Sequence, residues 1–133
     1  VSLEGAYVLD VTGGKAGFEI NGSGSDLVSG VTVPTGSWTY IVGTADSSGN
    51  LKLYVNGALT GNASQGFFNL DSLTRPYSLG GHPVFAGYNF NGIIDEARIS
   101  NIPRSADWIA TEYNNQSGSL SFYTISAAVT SGP

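Results

Sequence analysis

Residues 38–60 read WTYIVGTADSSGNLKLYVNGALT. In the first half, Trp38, Tyr40 and Val42 alternate with Thr39, Ile41 and Gly43. A period of two places the sets on opposite faces of a strand, and both faces are partly apolar, as in one layer of a sandwich. DSSGN at 46–50 breaks the pattern with turn residues. Beyond it, Leu51, Leu53 and Val55 share one face while Lys52 and Tyr54 share the other. Asn56-Gly57 then ends the run, and both residue types tolerate positive φ, the requirement of a tight hairpin turn. The stretch therefore predicts a meander of three antiparallel strands.

Toward the N-terminus, AYVLDV at 6–11 and GFEI at 17–20 flank the turn TGGK at 12–15, which predicts a further hairpin. NGSGSD at 21–26 reads as a loop, and LVSGVTV at 27–33 as a strand stopped by Pro34. Toward the C-terminus, residues 61–75 look irregular, PYSLG at 76–80 reads as a short strand, and GGHPVFAGYN at 80–89 as a Gly-rich loop. A strand is expected over 91–100. Ser105 then offers a cap and Asp107 a first-turn acid for one short helix running to Asn114-Asn115. SLSFYTISAAV at 119–129 reads as a last strand, with Leu120, Phe122 and Thr124 on one face, before a linker-like TSGP. Many short strands, close-spaced turns and one helix predict an all-β sandwich. Residues 1–118 are expected to form the domain and 119–133 a strand and tail.

Composition narrows the partners. The 133 residues suit one domain, and only 11% are charged while 19 are Gly. The net charge is −5, with Lys15, Lys52, Arg75, Arg98 and Arg104 as the only basic residues. They form no cluster that could neutralise a phosphate backbone, so nucleic acid is not an expected partner. No apolar run reaches the length of a membrane span, so membrane insertion is not expected either. Without cysteine there are no disulfides or thiolate sites. The start at Val1, with no methionine anywhere, leads to the expectation of a processed product or a piece of a longer chain. The low charge and the abundance of Gly, Ser, Thr and Asn fit an extracellular or cell-surface location.

The run WTYIVGTADSSGNLKLYVNG (38–57) resembles the core hairpin of laminin-G-like, concanavalin A-like jelly rolls. FNGIIDEARISN (90–101), followed by a helix opening RSADWI, resembles the later part of that domain. The tail ATEYNNQS…SFYTI is similar to bacterial extracellular modular proteins carrying it. The resemblance spans residues 16–125 and implies a two-sheet antiparallel jelly roll with one short C-terminal helix. In that family the hairpin tryptophan follows several strands that are not obvious here. The expectation is a sandwich lacking N-terminal strands and completed by another chain or copy, with 119–129 as the candidate donated strand.

Asp95 and Glu96 invite the idea of a catalytic pair. Neighbours on a strand point to opposite faces, whereas the two acids of a glycosidase flank one bond at roughly 5–10 Å. The resemblance implies an E-x-D-x-x-E spacing for glucanases of this fold, and that spacing does not occur here. With one His and no Cys, nucleophilic triads and His-based metal sites lack parts, so no catalysis is expected. Asp95 shares a strand face with Ile93, Ala97 and Ile99. It is expected to be a buried carboxylate clamping a neighbouring loop, with calcium ligation as the alternative the resemblance allows. Glu96 and Arg98 are expected to form a modest exposed pair.

The loop GGHPVFAGYN places His82, Phe85, Tyr88 and Asn89 together. Flat rings beside amides suit sugar C–H faces and hydroxyls, so these four are the candidate carbohydrate-binding residues. The competing reading makes Phe85 and Tyr88 plugs of the sandwich rim. Trp38 and Tyr54 are expected in or near the core, and Trp108 is expected to dock the helix. Three matches to the glycosylation sequon, at Asn21, Asn62 and Asn115, are expected in a chain this rich in Asn and Ser. Two functions fit: a noncatalytic module recognising a glycan or cell-surface protein, or a structural subunit of a secreted fibre, adhesin or surface layer assembled through strand exchange.

Overall fold

The computed structural model describes residues 2–3, 7–20, 27–65, 77–82 and 87–118. Seven strands and one helix occur among them: β1 (Ser2–Leu3), β2 (Tyr7–Thr12), β3 (Lys15–Ile20), β4 (Leu27–Thr32), β5 (Ile41–Ala45), β6 (Asn50–Val55), β7 (Ala58–Ser64) and α1 (Ala106–Gln116). The strands form two antiparallel sheets, ordered β1-β2-β3-β4 and β5-β6-β7. The all-β sandwich is therefore present, with strands joined to their sequence neighbours.

Alternation builds the core. Ala16, Phe18 and Ile20 of β3 face Leu51, Leu53 and Val55 of β6, and all six are buried in one cluster. Tyr7, Leu9, Leu27, Val33, Ile41 and Ala45 pack around its margin. The sheets come closest at Gly43, where a Cβ would lie 2.5 Å from the Phe18 ring. Gly43 sits mid-strand because the Phe18 ring fills the space a side chain would need.

The expected turns form. At 12–15 the pair Thr12↔Lys15 closes the β2–β3 hairpin over Gly13 and Gly14. Between β5 and β6, the Asp46 carboxylate accepts from the backbone N–H of Ser48 (2.9 Å) and of Asn50 (3.0 Å) and from the Asn50 amide (2.8 Å). These bonds, the Asn50 side chain first, hold the Asp46 carboxyl below its usual range. Asn56 (φ 51°) and Gly57 (φ 78°) give the left-handed turn between β6 and β7. Asn56 also reaches back: its Oδ1 accepts from Tyr40 N–H at 3.0 Å, and its own N–H donates to Tyr40 O at 2.8 Å.

Ser105 caps α1, its hydroxyl accepting from Trp108 N–H at 3.2 Å. Ile109, not Trp108, supplies the buried anchor of the helix. The Trp108 ring stays partly exposed beneath the Arg104 guanidinium, 5.0 Å from its centroid. Tyr113, one turn beyond Ile109, stacks on Tyr40 at 6.2 Å and lies against Gly57. The helix thus clasps the β6–β7 turn.

Several expectations are corrected. Trp38 is 69% exposed and lies before β5, which starts at Ile41, whereas Tyr54 is buried as expected. Residues 61–64, expected to be irregular, continue β7 because they pair with Asn50–Leu53. Residues 77–80 form no strand, although Gly81 and Asn89 make an isolated bridge. Residues 91–100 are neither strand nor buried. A strand needs a neighbour to take its backbone hydrogen bonds, and none pairs with this segment among the described residues. Glu96 instead takes φ 53°, which breaks the period of two, and its N–H donates to Asp95 Oδ1 at 2.8 Å. Asp95 is therefore exposed, not a buried clamp. The expected loop at 21–26, Phe85 and the expected strand at 119–129 lie outside the described residues.

Candidate functional site

Residues 80–82 and 88–90 run antiparallel to each other. His82 N–H donates to Tyr88 O at 3.0 Å, and Phe90 N–H donates to Gly80 O at 2.9 Å. Between these bonds lies the Gly81–Asn89 bridge. The Ser78 hydroxyl donates to Gly81 O and ties the base of the hairpin to the preceding segment. Gly81 permits the close approach, since a Cβ there would lie 2.9 Å from Asn89 Oδ1.

This frame brings three of the four candidate sugar-binding residues together. The His82 and Tyr88 rings lie 6.1 Å apart at 57°, and Asn89 follows directly in the chain. Tyr88 is 72% exposed, so its ring is not a plug of the rim. An open aromatic face beside an amide and an imidazole can stack on a sugar ring and hydrogen-bond its hydroxyls. Phe85 belongs to the same loop but lies outside the described residues.

Asp95 stands apart from that hairpin in its bonding. One of its oxygens is taken by the Glu96 N–H. The Glu96 carboxylate is held by Arg98 at 2.5 Å, and Arg98 also reaches Glu112 of α1 at 2.8 Å. The expected Glu96–Arg98 pair is thus present, extended by a helix residue that the local pattern could not indicate. Among the described residues no three His, Cys, Asp or Glu side chains gather. Calcium takes six to eight oxygens. The described residues around Asp95 do not supply a fitting set.

Sequence reasoning missed a concavity between residues 77–79 and 97–99. Tyr77, Ser78, Leu79, Ala97, Arg98 and Ile99 line a shallow pocket of about 180 Å³. Its signal was the apolar residues at 77, 79, 97 and 99, in two stretches where separate strands were expected. The Tyr77 ring also leans on Tyr7, with centroids 6.2 Å apart. Burial, with Tyr77 adding to it, pushes the Tyr7 phenol up to about 12. Among the described residues no helix is long and apolar enough to cross a membrane.

A laminin-G-type family model, described as the concanavalin A-like lectin/glucanases superfamily, matches residues 1–110. A solved S-layer domain-containing protein from Clostridium thermocellum is similar in fold, with a TM-score of 0.56 and 25% identity. The match covers 75% of this chain and 52% of the solved one, so the chain spans about half of that structure. No curated protein matches.

Proposed function

The chain belongs to the concanavalin A-like lectin/glucanases superfamily, and from that premise we propose that it is a noncatalytic extracellular recognition module that binds carbohydrate at the His82–Tyr88–Asn89 hairpin. The observation that carries this reading is the Tyr88 ring, open to solvent on a hairpin fixed by backbone hydrogen bonds. A preorganised aromatic face loses little entropy on binding, which favours a polar ligand such as a glycan whose hydroxyls must give up water to bind. Asn89 and His82 supply hydrogen-bonding groups beside it, and Phe85 of the same loop is the natural fourth contact. No catalytic step is assigned, because the superfamily is broad in function and binding accounts for the residues present. Neither is calcium part of this site.

The test is a glycan array followed by titration calorimetry on the best ligand. Saturable binding that Tyr88→Ala abolishes is the expected result, with the fold intact because the ring is exposed. Binding that survives Tyr88→Ala, or no binding to any glycan, would overturn the site.

A second reading has its own support. Ile93, Ile99 and Ile102 are large apolar side chains left open in one short segment. A structural subunit of a surface layer, fibre or adhesin would use such a segment for assembly, and the similar solved protein is S-layer domain-containing. Concentration-dependent assembly of the purified chain supports this second reading, and a strictly monomeric chain sinks it.

A further inference from the structure

The dipeptide Asn-Gly occurs three times, at Asn21-Gly22, Asn56-Gly57 and Asn91-Gly92. An asparagine side chain closes a ring on the next backbone nitrogen most readily before glycine, which has no Cβ to obstruct the approach. Asn21 lies outside the described residues, and the fold treats the other two differently.

Asn56 is clamped. It takes the left-handed conformation of a tight turn, its N–H donates to Tyr40 O at 2.8 Å, and its Oδ1 accepts from Tyr40 N–H at 3.0 Å. The carboxamide is thereby held toward Tyr40, and the Tyr113 ring lies against Gly57. Asn91 has none of these restraints. Asn91 and Gly92 are exposed, lie in no strand or helix, and neither adopts a positive φ. Among the described residues no partner holds the Asn91 carboxamide or the Gly92 N–H. The Phe90 ring takes the space a side chain at Gly92 would need, 2.7 Å from a Cβ there, so the position suits glycine.

We propose that Asn91-Gly92 is a site of spontaneous covalent modification, at which Asn91 deamidates through a cyclic imide, while the turn at Asn56-Gly57 protects its own asparagine. The Gly92 backbone nitrogen, having lost its proton to solvent base, attacks Asn91 Cγ. A new N–C bond forms, the Cγ–Nδ2 bond breaks, and Nδ2 takes a proton from water and leaves as ammonia. Water then opens the imide. Attack at Cγ gives aspartate on the ordinary backbone, and attack at the main-chain carbonyl carbon gives isoaspartate, with the chain running through Cβ and Cγ. The sequence consumes one water, releases one ammonia and changes no oxidation state. Either product adds a carboxylate to a chain of net charge −5, and isoaspartate also adds a backbone methylene directly after Phe90. The Phe90 N–H closes the hairpin on Gly80 O at 2.9 Å, so conversion loosens the frame that carries His82, Tyr88 and Asn89. This chemistry is independent of what the hairpin binds.

The test is incubation of the purified chain at mildly alkaline pH, with time points digested by chymotrypsin and read by tandem mass spectrometry. Cleavage after Tyr77 and Tyr88 puts Asn56 and Asn91 in different peptides. In the folded chain Asn91 should convert at least about tenfold faster than Asn56, because freeing Asn56 first breaks its two bonds to Tyr40. In guanidinium chloride the two should convert at similar rates. The Phe90 amide hydrogen should exchange about tenfold faster in the converted chain than in fresh protein, through loss of its bond to Gly80. Asn91→Gln, which alters an exposed side chain and would have to close a larger ring, should abolish conversion at this position and the change in exchange. An Asn91 that converts no faster than Asn56 in the folded chain overturns the proposal. A difference that persists in denaturant overturns the protective role of the turn, and unchanged Phe90 exchange overturns the link to the hairpin.

Discussion

In β6, Leu51, Leu53 and Val55 alternate with Lys52 and Tyr54 and are buried; in 93–99, Ile93, Asp95, Ala97 and Ile99 alternate with Ile94, Glu96 and Arg98 and lie open. Both stretches carry apolar residues on alternate positions, with Asp95 interrupting the second row. What separates them is neighbours. β6 has β5 on one side, β7 on the other, and the β3 face across the core. Residues 93–99 have a helix bonded through Arg98 and no strand beside them among the described residues. Alternation gives a segment the capacity to be a strand, and pairing decides whether that capacity is used.

Substitutions can break or sharpen this contrast. The largest effect is expected in β6: Leu53→Ala leaves a cavity between the sheets and should cost about 3 kcal/mol by chemical denaturation. A loss as small as that of a surface change would mean that the β3–β6 core is not what holds the domain together. Next is the turn that completes the paired region. Gly57→Ala must hold φ 78° with a Cβ 3.0 Å from the Tyr113 ring, and should cost about 1–2 kcal/mol. A neutral result would show that α1 does not press on the hairpin. The smallest effect belongs to the open region: Ile93→Ser, measured at concentrations that keep the chain monomeric, should change stability by less than about 0.5 kcal/mol. A loss comparable to that of Leu53→Ala would mean that 93–99 is buried within the protomer after all.

Much of the fold was legible because its signals are local. TGGK, DSSGN and Asn56-Gly57 form the turns expected of them, and Ser105 caps the helix. These depend on φ preferences and side-chain hydrogen bonds within a few residues. The candidate site was half legible. The rings and amide of 82–89 were visible as chemistry, but their convergence depends on the hydrogen bonds from His82 to Tyr88 and from Phe90 to Gly80. The pocket between 77–79 and 97–99 was illegible, because it is made by two segments about twenty residues apart that read separately as strands.

The sequence by itself determined the all-β class, the three-strand meander expected over 38–60, the shared Leu51–Leu53–Val55 face and the helix start at Ser105. Each follows from a period of two or from a turn and cap chemistry that acts over a few residues. Tertiary structure alone decided that Trp38 stands in solvent, that Ile109 rather than Trp108 anchors the helix, that Gly43 must make room for Phe18, and that Asp95 lies on an open segment. Burial and strand pairing are set by what lies alongside in space, and a side chain's own neighbours in the chain carry no record of that.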